Sequence, residues 1–253
     1  MTKTQTTTKN NILRTLLLDI ETSANIGFCW SKYETDIIEF VQEFHLLSFS
    51  VKWLDSNKVD VFTLADFAGF DKNKDSDKEL CAKLWEYLDK ADLIIAHNGD
   101  RFDFKKINAR FAINGMSPPS PYKTIDTLKI AKKHFAFNSN KLNDLGITLG
   151  LGKKADTGGF QLWKDCMAGD KKAFKKMAGY NKQDVVLLEK VYLKLRPFSN
   201  THPSVLTDSA HKCLMCGSDD VQYRGYNFSK MGKSKRWQCN SCSGWSSAGY
   251  EKK

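Results

Sequence analysis

Arg14 to Thr22 reads RTLLLDIET, and this stretch decides the fold. The apolar run ending at Ile20 is too short for a core helix and predicts a strand buried on both faces. Asp19 and Glu21 stand two positions apart at its end. The pleat of a strand therefore sends both carboxylates to one face, where a single metal site could hold them. Taken alone, an Asp-x-Glu of this kind is equally an acidic, solvated strand end.

Working outward, His45 to Trp53 and Val59 to Leu64 predict two more strands and an antiparallel meander. Asp77 to Lys90 carries Leu80, Leu84, Tyr87 and Leu88 at helical spacing, and DLIIAH, Asp92 to His97, follows as a buried strand. A helix leading into a parallel strand is an α/β signature. Phe102 to Asn114 predicts a helix stopped at Gly115, and Tyr122 to Ile125 a short strand. Asp126 is placed to N-cap a helix from Thr127 to His134, a better fit for that residue than a metal ligand. A short helix from Leu142 runs out at Gly150 and Gly152, and a long helix from Lys171 to Leu195 closes the domain. Pro197 and the segment Ser199 to Ser209 read as a linker. The expected division is a flexible N-terminus at 1–11, an α/β domain at 12–197, a linker at 198–210 and a small C-terminal module at 211–253.

Composition narrows the function classes. Hydrophobic residues at 41% and charged residues at 27% suit a soluble globular chain of 253 residues, long enough to bury a core without a disulfide scaffold. Neither a membrane span nor a secretory leader is expected, so the setting predicted is cytoplasmic and reducing. The net charge of +10 suits a polyanionic partner, because neutralising phosphates releases counterions.

Two further blocks carry carboxylates. In IIAHNGDRFDFKKI a strand runs through His97, Asn98 and Gly99 into a helix that starts near Phe102 and Asp103. In YNKQD, Tyr180 and Asp184 stand at i and i+4 and share one helical face. Hydrolysis of a phosphodiester through two metal ions needs carboxylates converging from separate parts of a fold, since hard divalent cations take oxygen ligands.

In order and content, LLLDIET, HNGDRFD and YNKQD resemble the three motifs of the DEDD superfamily of 3'→5' exonucleases, and the Tyr four residues before the last Asp resembles its tyrosine subclass. IDTLKIAKKHF and NKLNDLGITLGLGKK look like small phage and bacterial exonuclease-like proteins of the RNase H-like group. The resemblance covers about residues 13–195 and implies an RNase H-like mixed sheet flanked by helices. It implies that Asp19, Glu21, Asp103 and Asp184 bind two Mg²⁺ or Mn²⁺ ions and that Tyr180 orients the attacking water. Asn98 and Phe102 match substrate-contact positions, although Asn98 could equally shape the turn and Phe102 pack in the core. His97 has no assigned role. The implied substrate is nucleic acid at its 3' end, single-stranded DNA before RNA, in a replication or repair context. The alternative is a catalytically inactive nucleic-acid-binding protein with the same fold.

The tail carries Cys213, Cys216, Cys239 and Cys242 as two Cys-x-x-Cys pairs, a set suited to one structural Zn²⁺ in a zinc ribbon. Arg224, Lys230, Lys233, Lys235 and Arg236 are interleaved with Tyr223, Tyr226, Phe228 and Trp237. Such a mixture either grips a single strand or supplies a small core with a solvated rim.

Overall fold

A computed structural model describes residues 12–33, 36–207, 211–230 and 232–247. The expected flexible segment at 1–11 lies outside the described residues. Strand β1 (Thr15–Thr22) is the centre of a five-stranded mixed sheet of order β5-β4-β1-β6-β7. On one side it pairs antiparallel with β4 (Leu46–Trp53), which pairs antiparallel with β5 (Val59–Thr63). On the other it pairs parallel with β6 (Leu93–Ala96), and β6 pairs parallel with β7 (Lys123–Asp126). Crossovers are provided by α1 (Lys78–Lys90) and α2 (Asp103–Ile113). After β7 come α3 (Thr127–His134), α4 (Leu142–Thr148), α5 (Gln161–Met167) and the long α6 (Lys171–Leu195). The fold is RNase H-like, a mixed sheet flanked by helices. No described helix is long and apolar enough to cross a membrane.

Alternation along β1 separates two cores. Leu16, Leu18 and Ile20 enter the cluster shared with α1, α2 and α5, while Leu17 enters the cluster formed with α3, α4 and α6. All three leucines are inaccessible to solvent, and burying each side chain contributes roughly 1.5–3 kcal/mol. Asp19 and Glu21 have the parity of Leu17, so the face that carries them is the face that meets α6.

Helix ends follow the sequence signals. Asp126 accepts the Leu128 N–H at 2.9 Å and caps α3. Gly115 at φ +69° and Gly150 at φ +67° take the left-handed conformation just past α2 and α4, where a Cβ would be strained.

Three features depart from the sequence expectation. A hairpin of β2 (Ile26–Phe28) and β3 (Glu39–Gln42) is inserted between β1 and β4, and Trp30 and Tyr33 on it are 86% and 87% exposed. Its apolar residues bury little of themselves, so no core periodicity announces it. Helix α5 was hidden in a Gly- and Lys-rich stretch. The expected linker is packed along its described part: Val205 is buried, Leu13 N–H donates to Val205 O at 2.7 Å, and the Tyr192 hydroxyl meets His202 Nε2 at 2.8 Å. Apolar Val205 and Leu206 account for this, since an extended chain that can bury them need not stay free.

Beyond it, β8 (Val221–Ser229), β9 (Gly232–Cys239) and β10 (Trp245–Ser247) form a three-stranded antiparallel sheet. A buried cluster of Cys213, Met215 and Cys239, with Cys216, Val221 and Cys242 against it, is its core.

Candidate active site

The carboxylates meet where β1 crosses under α6. Carboxylate oxygens of Asp19, Glu21 and Asp184 all lie within 4.8 Å of one another. β4 sets Ser50 opposite Asp19 and Ser48 opposite Glu21, and these small buried side chains leave room for the helix above. Asp103 opens α2 beside this group, with Oδ1 accepting the Ile20 N–H at 3.3 Å. Three elements therefore hold the four acids, two in strand β1, one at the N-terminus of α2 and one in mid-α6.

Collecting acids in a buried place is electrostatically costly. Burial first, then the charges of Glu21, Asp103 and Asp184, holds the Asp19 carboxyl well above its usual range. Burial likewise pushes Glu21 up to about 8 and Asp103 up to about 7. Asp184 is raised by burial against the pull of Lys154. One observation tests whether a cation fits here: Asp184 Oδ1 is buried with no hydrogen-bond partner. An orphaned carboxylate oxygen facing two more carboxylates is the oxygen-rich donor set that Mg²⁺ or Mn²⁺ takes.

Lys154 is part of this site, and sequence reasoning missed it. Its Nζ lies 2.7 Å from Asp184 Oδ2 and 3.1 Å from the Tyr180 hydroxyl. Burial pulls the ammonium down, but Asp184 and Asp19 outweigh it and hold the group above its usual value. The residue reaches the site because the segment after α4 is pinned twice. Lys154 N–H donates to Asn143 Oδ1, and Gln183 donates to Lys153 O. A single Lys in a Gly-Lys-Lys loop has no spacing that could have flagged it.

Asn181 was also missed. It is fully buried, donates to the Asp19 carboxylate and the Asp19 carbonyl, and accepts from Ser48 Oγ at 3.3 Å. The available signal was its spacing of three from Asp184, which puts both on the inner face of α6. Burial, with Asp184 next, raises Tyr180 above the ordinary phenol range, so its hydroxyl keeps its proton. The Trp163 ring packs edge-on against Tyr180 at 6.1 Å.

Of the two expected substrate contacts, Phe102 is 41% exposed ahead of α2 and is not a core residue. Lys106 Nζ lies 5.2 Å from its ring and 3.7 Å from that of Phe44. Asn98 takes φ +65° between β6 and α2. Its N–H donates to Asp126 Oδ1, and its carbonyl accepts from Arg101 and Phe102, so its backbone shapes this turn. His97 is spent structurally, with Nδ1 against Thr127 Oγ1 at 2.8 Å and Nε2 against Asn140 O at 3.0 Å.

The four cysteines of the C-terminal module also converge, with all Sγ atoms within 4.8 Å of one another. Cys213 to Cys242 is 3.5 Å and Cys216 to Cys239 is 3.7 Å, far too long for disulfides. A tetrahedron with Zn–S bonds of about 2.3 Å has edges of about 3.8 Å, so the thiols already stand close to tetrahedral spacing.

Comparison of the sequence with curated proteins finds no match. Among solved structures, the family B DNA polymerase from the hyperthermophilic archaeon Pyrobaculum calidifontis is similar, with a TM-score of 0.54 and 16% identity over 73% of this chain and 25% of the polymerase. At that identity the likeness is one of fold, and this chain spans a fraction of the polymerase's length. The model of the RNase H superfamily matches residues 34–196, from just ahead of β3 through the whole of α6, and so begins after β1. Together with the β5-β4-β1-β6-β7 sheet, that match over well more than half its length establishes that the chain belongs to the RNase H superfamily.

Proposed function

We propose that the chain is a metal-dependent exonuclease that removes nucleotides from the 3' end of nucleic acid. The observation that carries the reading is the convergence of Asp19, Glu21 and Asp184, one oxygen of Asp184 being buried and unpartnered. RNase H-like nucleases use divalent metals, and two such ions would be held by Asp19, Glu21 and Asp184 with Asp103 beside them. When bound, they would supply Lewis acidity and lower the pKa of water to a value where hydroxide forms. The order LLLDIET, HNGDRFD, YNKQD supports the 3'→5' polarity and the tyrosine subclass.

The protein's own groups have defined tasks in this scheme. Tyr180, placed by Lys154 and the Asp184 carboxylate, orients the attacking water by hydrogen bonding. Lys154 offsets the crowded negative charge and holds both Tyr180 and Asp184 in place. Asn181 fixes the Asp19 carboxylate. Phe102, exposed at the mouth of α2, is available to a terminal base, and Asn98 shapes the turn below it. DNA is favoured over RNA as substrate, in a replication or repair context for which the fold of a DNA polymerase is the available analogy.

The test uses single- and double-stranded DNA and RNA labelled at either end, with Mg²⁺, Mn²⁺ or EDTA. The 5'-labelled strands are expected to shorten one nucleotide at a time, only with metal. Shortening from the 5' end, or turnover undiminished in EDTA, would refute the assignment.

A further inference from the structure

The C-terminal sheet carries a second aromatic system that its own core does not use. Trp237 is buried at 3% exposure, with Nε1 donating to Lys212 O at 3.2 Å and its ring edge-on to Tyr223 at 6.2 Å. Tyr223, Tyr226, Phe228 and Trp245 are not needed for that core and stand 58%, 39%, 76% and 45% exposed. The sequence left open whether the aromatics of this module were core or contact surface. The structure divides them.

The exposed rings are paired with cations. Tyr226 stands opposite Lys235 and Phe228 opposite Lys233 in the β8–β9 register. Lys233 Nζ is 4.8 Å from the Tyr226 ring centre, and the Arg236 guanidinium is 5.2 Å from that of Trp245. Tyr226 and Phe228, two apart on β8, share a face, and their ring centres are 6.5 Å apart. From Val221 to Ser247 the sequence holds five Lys and Arg residues and no Asp or Glu. A surface of one sign with flat apolar faces between its charges suits a polyanion that also offers flat apolar faces. Duplex DNA offers the charge but hides its bases in the stack, whereas a single strand offers both.

The module is also fixed in place. Val205 N–H donates to Leu214 O at 2.8 Å, Arg196 Nη1 donates to Met215 O at 3.5 Å, and an Ile12–Leu206 bridge ties the same region to the start of β1. Asp184 and the helix end at Leu195 are eleven residues apart on α6, about 16 Å at 1.5 Å per residue.

We infer that the face formed by Tyr223, Tyr226 and Phe228 with Lys233 and Lys235, which the register sets on one side of the sheet, is a binding site for single-stranded nucleic acid, gripping the strand upstream of the end held at the carboxylates. The grip itself is independent of catalysis, and only its placement relative to the 3' end rests on the proposed function. Bases stack on the rings, and the cations neutralise the phosphates between them.

The test compares the full wild-type chain with the doubles Tyr226→Ala/Phe228→Ala and Lys233→Gln/Lys235→Gln, each checked for one bound zinc. Fluorescence anisotropy with a single-stranded deoxyoligonucleotide of about twenty nucleotides, with Ca²⁺ in place of the activating metal, reads binding over a salt series. The aromatic double should weaken binding at least tenfold with the salt slope unchanged, and the charge double should flatten the slope by about 0.7 per lost contact. Cleavage of a dinucleotide, too short to reach from the carboxylates past the end of α6, should be as fast in both doubles as in wild type. Wild-type affinity in both doubles would overturn the inference, as would an equal loss with duplex DNA or equally tight binding of an acidic peptide. Ribbon-dependent binding by a wild-type chain that cleaves nothing would refute the nuclease reading and leave the grip standing.

Discussion

Within the carboxylate group, Tyr180, Lys154 and Asn181 divide the work by what they can donate. The Tyr180 hydroxyl accepts from Lys154 at 3.1 Å and also meets the Asp184 carboxylate, which places it beside the acids. Replacing it by Phe removes that donor while the ring stays against Trp163. The expected result is a single-turnover rate lower by roughly 10–10³-fold, the usual worth of one positioned catalytic hydrogen bond, with metal dependence intact. Wild-type turnover in Tyr180→Phe would reduce the residue to a packing role. Asp19→Ala removes a ligand outright and should abolish degradation with the fold retained, as read by circular dichroism beside the gel. The contrast between the two variants is diagnostic, because a partial loss belongs to an orienting group and a complete one to a ligand.

At the scale of elements, the registration of α1 and α2 depends on one buried pair. Asp77, fully buried ahead of α1, accepts Arg110 Nε at 2.7 Å and Nη2 at 2.8 Å from α2, Asn114 Nδ2 at 2.9 Å, and the Leu46 N–H of β4 at 2.8 Å. Asp77→Ala leaves the largely buried guanidinium without its partner and should cost about 3–5 kcal/mol in urea unfolding. Burial pushes Asp77 up, but the bonds from Arg110, Leu46 and Asn114 outweigh it and hold the carboxyl below the usual range. A depressed folded pKa contributes stability that is complete above the unfolded value near 3.8 and is lost as pH falls through the folded value. The stability advantage of wild type over Asp77→Asn should thus be full above about pH 4 and shrink as pH falls below it, and an advantage that does not change with pH would remove the Asp77 charge from the account. What was legible in the sequence follows the same physics. β1, β4, β6 and α6 were readable because burial imposes a period, and Asp126 and Gly115 because helix ends demand particular residues. The β2–β3 hairpin was not, since Trp30 and Tyr33 face outward, nor was the packed segment at Val205, whose burial is set by distant partners. At the site, strand and helix spacing put Asp19 with Glu21 and Tyr180 with Asp184 on shared faces, and the resemblance to the exonuclease motifs joined them into one site. Lys154 was not legible, because a loop has no period.

Over the whole molecule, the sheet and α6 hold together acids that repel one another, and this sets how stability responds to pH and metal. Glu21 is raised to about 8 and Asp103 to about 7 in the folded chain, against 4.5 and 3.8 for the free groups. Around neutral pH the folded state therefore binds more protons than the unfolded one. Stability from these groups is fully present below about pH 4 and is lost as pH rises through about 7 to 8. Divalent cations held as proposed at these carboxylates would reverse the sign, because they would bind the deprotonated groups and so compete with the protons. Ligand that binds only the folded state adds RT ln(1 + [L]/Kd), and here Kd falls as pH rises. Thermal melts should accordingly show the metal-free protein losing Tm between about pH 6 and pH 8, and the gain from Mn²⁺ over metal-free buffer should grow across the same interval. Asp19→Asn removes one of the mutually repelling charges and one ligand together. It should raise the metal-free Tm at about pH 8 and remove most of the Mn²⁺ gain. A gain that is flat or shrinking with pH in the wild type, or unchanged in Asp19→Asn, would show that the metal sits away from this carboxylate group.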